Sequence, residues 1–353
     1  DIVTRLDGLP LALELAAARV KLLPPQTMVR RLTAALDLSG DGNRRDLPDR
    51  QRTLRGAIAW SYDLLSPKGR ELSRRLAVFR GGATLEAIEA VCRAPAADDL
   101  LDNLGTLVDH SLVQVLDQDG EEPRYSMLAT IREYAAEKLE EGEDAAEIHL
   151  RHLLFFRDLA EQAAAHLTSD QQAVWLPKLD RDRDNLRTAL ERAISTGDAA
   201  NACPLLSALW RFFHMRGPVR EGRALAEQVV TLEGAPPGEH LAALEAAGGL
   251  AYWEGDFPAA ERHYRRALTL AHSLNDPARL VEALYNLSFP LSFMGDREGA
   301  DRFLDEAAAL AERVGDRPAL ARILWAKGDA AFFSRDFPTA RDQLTAALQA
   351  LEG

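Results

Sequence analysis

Gly255-Asp256-Phe257-Pro258 returns 40 residues later as Gly295-Asp296-Arg297 and after another 40 as Arg335-Asp336-Phe337-Pro338. Small residues keep the same spacing behind each copy, at Ala260, Ala300 and Ala340 and again at Ala267, Ala307 and Ala347. Tyr264, Leu304 and Leu344 lie between them. Upstream the register holds at Leu244/Leu284/Leu324, Gly248/Ser288/Gly328 and Trp253/Phe293/Phe333. A fixed period that places small residues where two helices must approach closely predicts a stacked helix-turn-helix solenoid.

The pattern resembles the tetratricopeptide repeat, whose small, small, aromatic and small positions fall on Gly248, Ala260, Tyr264 and Ala267. That repeat is usually about 34 residues long. A period of 40 implies longer helices or loops. The resemblance implies a right-handed α-solenoid over residues 144–353, and its first helices form the concave side. That side should display Glu245, Gly249, Tyr252, Glu282, Tyr285, Phe289, Arg322, Trp325 and Asp329. Aromatics interleaved with charges suit a protein, peptide or small-molecule effector. Trp253, Phe293 and Phe333 are expected to pack between repeats instead. The last helix, Thr339 to Leu351, leaves Leu344, Leu348 and Leu351 on an apolar face, to be covered by further repeats or by a partner.

Composition narrows the class. A chain of 353 residues exceeds one ordinary core. A net charge of −13 argues against non-specific binding of nucleic acid or anionic membrane by the whole chain. No apolar run reaches membrane-spanning length and no secretory pattern is present, so a cytoplasmic protein is expected. Cys92 and Cys203 make neither a disulfide framework nor a zinc pattern. The chain starts at Asp1 inside a helical pattern, which implies a piece of something longer.

Residues 1–50 carry Gly8-Leu9-Pro10-Leu11-Ala12-Leu13, a break followed by a proline-initiated helix. This resembles the GLPL motif of STAND-type (AP-ATPase, NB-ARC-like) signalling ATPases, where the proline lies against the adenine of bound ADP or ATP. The resemblance makes Gly8, Leu9 and Pro10 nucleotide-contacting candidates. None of the five lysines follows a glycine or precedes serine or threonine, so no P-loop is present. This stretch is therefore not expected to be an enzyme or to bind nucleotide tightly alone. ADP or ATP would belong to the full-length protein, and an ATPase core would be a partner in cis.

Residues 51–143 read as helices followed by a two-stranded hairpin, the order of a winged helix. The helices are expected to end at Leu65, Phe79, Cys92 and Asp109, the third beginning at Thr84. Leu54-Arg55-Gly56-Ala57-Ile58-Ala59-Trp60-Ser61-Tyr62 and Leu107-Val108-Asp109-His110-Ser111-Leu112 resemble the winged-helix segment that follows GLPL in bacterial STAND regulators. Where many relatives carry Met-His-Asp, this chain has Met127-Leu128-Ala129, and leucine donates no hydrogen bond to a phosphate. The recognition-helix candidate, 98–110, holds four aspartates and no lysine or arginine, so direct DNA binding is not expected. Residues 44–80 hold ten basic against four acidic residues, read as a surface for the ATPase core or for solvent.

Beyond residue 143, helices are expected over 143–166 and 171–194, with a divergent repeat at 201–232. Asp180-Arg181-Asp182-Arg183-Asp184 reads as a solvated helix face, and His149 and His152 as surface or packing histidines. The resemblance implies a regulator in which ADP holds the chain closed. Signal and ATP then open it for oligomerisation. The competing reading is a constitutive solenoid scaffold, with a DNA-binding winged helix behind it.

Overall fold

A short helix, α1 (Ile2–Arg5), is followed by α2 (Pro10–Ala17), which Pro10 opens at a position where its missing N–H costs nothing. The structure is a computed structural model that describes residues 2–6, 9–20, 24, 26–28, 49–92, 99–116, 122–217 and 219–352. α2 packs on α3 (Asp49–Asp63) through one buried cluster of Leu6, Ala12, Ala16, Met28, Ala57 and Trp60. Each large apolar side chain buried this way contributes about 1.5–3 kcal/mol. Buried Arg19 adds a polar tie, donating to the Ser61 carbonyl at 2.9 Å.

Ser66 then caps α4 (Pro67–Leu76), its hydroxyl accepting from Gly69 N at 3.0 Å. β1 (Ala83–Thr84), α5 (Leu85–Cys92), α6 (Leu100–Asp109), β2 (Gln114–Leu116), β3 (Arg124–Ser126) and α7 (Ala129–Glu140) follow. The strands pair antiparallel in the order β1-β3-β2, with Ala83 opposite Tyr125 and Val115 opposite the same residue. The third strand corrects the sequence reading, which began a helix at Thr84. Gly81 and Gly82, at φ 77° and 83°, turn the chain so that residues 83–84 meet β3. A Cβ on Gly82 would lie 3.0 Å from the Tyr125 carbonyl oxygen. Thr84 instead accepts from Ala87 N at 3.3 Å, ahead of α5.

α8 (Ala145–Ala164) is followed by α9 (Gln172–Arg181) and α10 (Arg183–Ser195). The single helix expected over 171–194 is thus two, parted at Asp182. Residues 1–156 with 181–189 form one unit, and 157–180 with 190–353 form the other.

In the second unit, α11 (Ala199–Met215) and α12 (Val219–Val229) precede α13 (Pro237–Glu254), α14 (Phe257–Leu274) and α15 (Pro277–Phe293). α16 (Arg297–Val314), α17 (Arg317–Phe333) and α18 (Phe337–Glu352) complete it. The period is subdivided: a left-handed residue followed by aspartate recurs every 20 positions, at 255–256, 275–276, 295–296, 315–316 and 335–336. Each left-handed residue ends one helix and each aspartate caps the next. Asp256 accepts from Ala259 N at 3.1 Å, Asp296 from Gly299 N at 2.9 Å and Asp316 from Ala319 N at 3.0 Å. Asp336 does the same for Thr339 N at 3.2 Å. The small positions behave as the repeat requires. A Cβ on Gly248 would stand 2.5 Å from the Tyr264 ring, and one on Gly328 would stand 2.8 Å from Leu344. The fold is mainly α, a winged helix with a small sheet and a tetratricopeptide-like solenoid.

Candidate functional site

The first helices of successive pairs stand side by side, α11 against α13, α13 against α15 and α15 against α17. A 40-residue period with i, i+3, i+4 and i+7 spacing therefore puts equivalent residues in rows across their shared face. On that face Arg322 forms an ion pair with Glu282 and lies 4.5 Å over the Tyr285 ring. Tyr285 meets Phe289 edge-on at 4.9 Å, and Phe289 meets Tyr252 at 6.1 Å. Glu282 also accepts from Asn286 at 3.3 Å.

Glu245 faces this group from α13. Its Oε1 is buried without a hydrogen-bond donor. Burial, then the charge of Glu282, pushes its carboxyl up to about 7 against the opposing pull of Arg279. Gly249, one turn on, leaves room for Trp210: a Cβ there would come within 2.9 Å of the indole. Arg211 lies 4.5 Å over that same ring, its pKa lowered by burial. The face thus presents a desolvated carboxylate oxygen beside stacked aromatic and guanidinium planes. Such an arrangement can orient a ligand through one polar donor while its apolar part contacts rings.

Six of the nine residues expected on that side are therefore joined in one cluster: Glu245, Tyr252, Glu282, Tyr285, Phe289 and Arg322. Tyr285 lies beneath Arg322 and is 8% exposed. Asp329 belongs to a separate cavity of about 710 Å³, which Phe289 shares with Asp301 and Lys327. Trp325 lines a different hollow with Leu348 and Leu351. Sequence reasoning missed the second-helix contributors Asp301 and Asp305; Lys327 pairs with the latter.

Trp253 and Phe293 pack on the preceding repeat by one face only, while Phe333 meets Phe332 of its own helix, and the three are 54%, 62% and 74% exposed. Trp253 stacks on His214 at 4.1 Å and Phe293 on Phe257 at 4.8 Å, which leaves other faces of these rings to solvent.

The winged helix pairs several of its cations internally. The outward residues of α6 include Leu101, Asp102, Gly105 and Asp109. In the described part of the basic run at 44–80, Arg55 pairs with Glu137, while Arg74 and Arg75 both take Asp144; Arg44 and Arg45 lie outside the described residues. Arg124, buried on β3, donates to Asp182 Oδ1 at 2.7 Å and to the Gly82 carbonyl at 2.9 Å. The aspartate–arginine alternation at 180–184 is therefore no solvated face. Buried Asn185 completes the knot, donating to Gly82 O at 2.9 Å and accepting from Arg80 N at 2.7 Å. His152 is held in this core, 4.6 Å from the Phe156 ring, and burial lowers its pKa to about 3. His149 goes to Glu140 instead, at 2.7 Å, so the two histidines do not converge.

At the GLPL segment, Gly8 lies outside the described residues. Leu9 packs half-buried against the Leu6 and Trp60 cluster, and Pro10 is exposed. Leu128 stands at the N-cap of α7 with no side-chain hydrogen bond. Among the described residues no helix is long and apolar enough to cross a membrane.

Residues 65–140 match the winged helix-turn-helix domain family. The chain thus joins a winged helix-turn-helix domain to a tetratricopeptide-like solenoid. It is a relative of mycobacterial proteins named as HTH-type transcriptional regulators. One, from Mycobacterium tuberculosis (strain ATCC 25618 / H37Rv), is 33% identical over 347 residues, 95% of this chain. The chain spans only 39% of that relative's length. An uncharacterized protein of the same strain is 37% identical over 156 residues, 43% of this chain and 39% of that one. Among solved structures, a STAND protein with a tetratricopeptide repeat sensor from Pyrococcus horikoshii aligns with 96% of this chain and 59% of its own. Its identity is 14% and its TM-score 0.40.

Proposed function

We propose that residues 1–353 are the sensor side of a STAND-type ATPase switch that controls transcription. The reading is carried by the 33% identity that runs through 95% of the chain to a protein named as a transcriptional regulator. In it, the face around Glu245 and Glu282 receives a protein, peptide or small effector. The winged helix, whose exposed α6 is acidic and whose Arg124 is internally paired, meets protein rather than phosphate. ADP or ATP binds an upstream core in cis, with Pro10 against the base, and ATP exchange releases the chain for homo-oligomerisation in the cytoplasm. The device works by differential binding to two states, and no catalytic residue is needed within 1–353.

The nucleotide content of a longer protein that includes the upstream core tests this beside its Pro10→Gly variant. Co-purifying ADP that is lost in the variant supports the switch. An intact P-loop upstream with no nucleotide in either protein leaves a constitutive scaffold. The name of the relatives favours one second reading, DNA contact by the winged helix. Residues 1–353 titrated with duplex DNA at rising salt distinguish it, since phosphate contacts give affinity that falls steeply with salt.

A further inference from the structure

The repeats do not close on one another equally well. Where α13 and α14 meet α15 and α16, Tyr264, Leu287 and Leu291 are buried in one cluster, with Phe303 packed on it. Tyr252, Phe257, Phe289 and Phe293 form an aromatic group there, with neighbouring ring centroids 4.8 to 6.1 Å apart. One repeat later, where α15 and α16 meet α17 and α18, the same register positions hold smaller or charged residues. Leu287 gives way to Lys327, Leu291 to Ala331 and Phe303 to Gln343. Tyr252, Phe257 and Phe289 give way to Ser292, Arg297 and Asp329.

The space they leave is a cavity of about 710 Å³ among α15, α16, α17 and α18, within the size range of small-molecule sites. Residues of α13 to α16 alone fill the equivalent space one repeat earlier, so the cavity arises from substitution within the repeats that bound it. Asp301, Asp305, Asp329 and Asp336 line it against Arg297 and Lys327. Lys327 pairs with Asp305, Arg297 donates to Ser334 Oγ at 2.9 Å, and Asp336 caps α18. Asp301 from α16 and Asp329 from α17 take no ion pair or hydrogen bond among the described residues. Phe289, Phe293 and Phe333 add ring surface to the same lining. No three carboxylate, histidine or cysteine side chains among the described residues converge as metal ligands. Carboxylates left uncompensated beside aromatic rings favour an organic cation: they accept its N–H groups, and ring faces attract its charge.

We propose that this cavity binds a small organic cation, a primary amine with an apolar body. Its ammonium group is held by Asp301 and Asp329, and its body lies against Phe289, Phe293 and Phe333. The site is distinct from the Glu245–Glu282 face, with which it shares Phe289, and its occupancy does not depend on a nucleotide switch.

Three probes of one shape test the charge: phenethylammonium, neutral phenethyl alcohol and anionic hydrocinnamate. Each is titrated into the 353-residue chain at about pH 7 and followed by saturation-transfer NMR. The amine should bind with a Kd on the order of 1 mM, and at least about tenfold more tightly than the other two. Asp301→Asn with Asp329→Asn should abolish that preference and leave circular dichroism unchanged. A second variant refills the cavity with the residues of the earlier repeat, Ser292→Tyr, Asp329→Phe and Ala331→Leu. It should lose amine binding and melt no lower than wild type, since the same scaffold already packs these residues. Equal binding of the three probes, a preference for the anion, or no binding of the amine overturns the proposal. So does amine binding that persists in the refilled variant.

Discussion

Arg124 and Asp182 are 58 residues apart in sequence and form a buried ion pair, the guanidinium 2.7 Å from Oδ1 and the side chains 6% and 14% exposed. Removing either partner leaves the other charge desolvated. Arg124→Met should therefore cost about 3–5 kcal/mol in urea denaturation. Arg124→Met with Asp182→Leu should recover much of that loss, because two apolar groups of similar volume leave no orphaned charge. A double variant no better than the single would show that the hydrogen bonds to Gly82, not the pair, carry the stability.

The turn at Arg335-Asp336 holds a non-glycine residue at φ 63°, where its counterparts Gly255 and Gly295 stand at 86° and 89°. Arg335→Gly should raise stability by about 0.5–1 kcal/mol, because the left-handed conformation strains an L side chain. Gly255→Ala should lower it by a similar amount. A Cβ at Gly255 would meet nothing within 4 Å, so only backbone conformation is at stake. Thermal unfolding of both variants should move in opposite directions.

Gly248 and Tyr264 are a matched pair, since a Cβ on the glycine would stand 2.5 Å from the ring. Gly248→Ala should cost about 1–3 kcal/mol by overpacking. Tyr264→Leu in the same chain should relieve it, as Leu304 accommodates Ser288 one repeat later. Strict additivity of the two substitutions in a double-mutant cycle would contradict this.

Glu245 gives the solenoid a pH dependence. Burial raises its carboxyl from 4.5 to about 7, so the unfolded chain ionises it at lower pH than the fold does. Unfolding releases a proton in that interval. The stability contributed by the neutral form is full below about pH 4.5 and is lost as pH rises through about 7. Glu245→Gln should remove this slope and gain on wild type between about pH 5 and pH 8 in urea midpoint. Parallel pH profiles would show that the carboxyl keeps an ordinary pKa.

The solenoid was legible because its signal is redundant. The aspartate and the small helix-contact residues each repeat the same message at one spacing. The half-period of 20 was equally present in the sequence, but the small helix-contact residues keep only the 40-residue spacing. β1 was not legible, as two residues carry no period and are a strand only because β3 lies beside them. The pairing of Arg124 with Asp182 was hidden for the same reason. A charge run seen in one dimension looks solvated, and only a partner 58 residues away reveals a buried face. For Trp253, Phe293 and Phe333 periodicity told that the positions are equivalent but not how much of each ring a neighbour covers.

Since each helix from α13 to α17 stops at a left-handed residue and the next starts on an aspartate at fixed 20-residue steps, this part of the solenoid works as a ruler with two kinds of mark. Excising residues 256–295 would join Gly255 to Asp296, and α13 would then be followed by α16 through an intact Gly-Asp turn. The row Glu245, Tyr285, Trp325 would lose its middle member while keeping its spacing. Removing 20 residues instead would bring a second helix into a first helix's place and change the chemistry of the whole row. Length can therefore vary by whole hairpins, and the face the first helices share is rewritten one rung at a time.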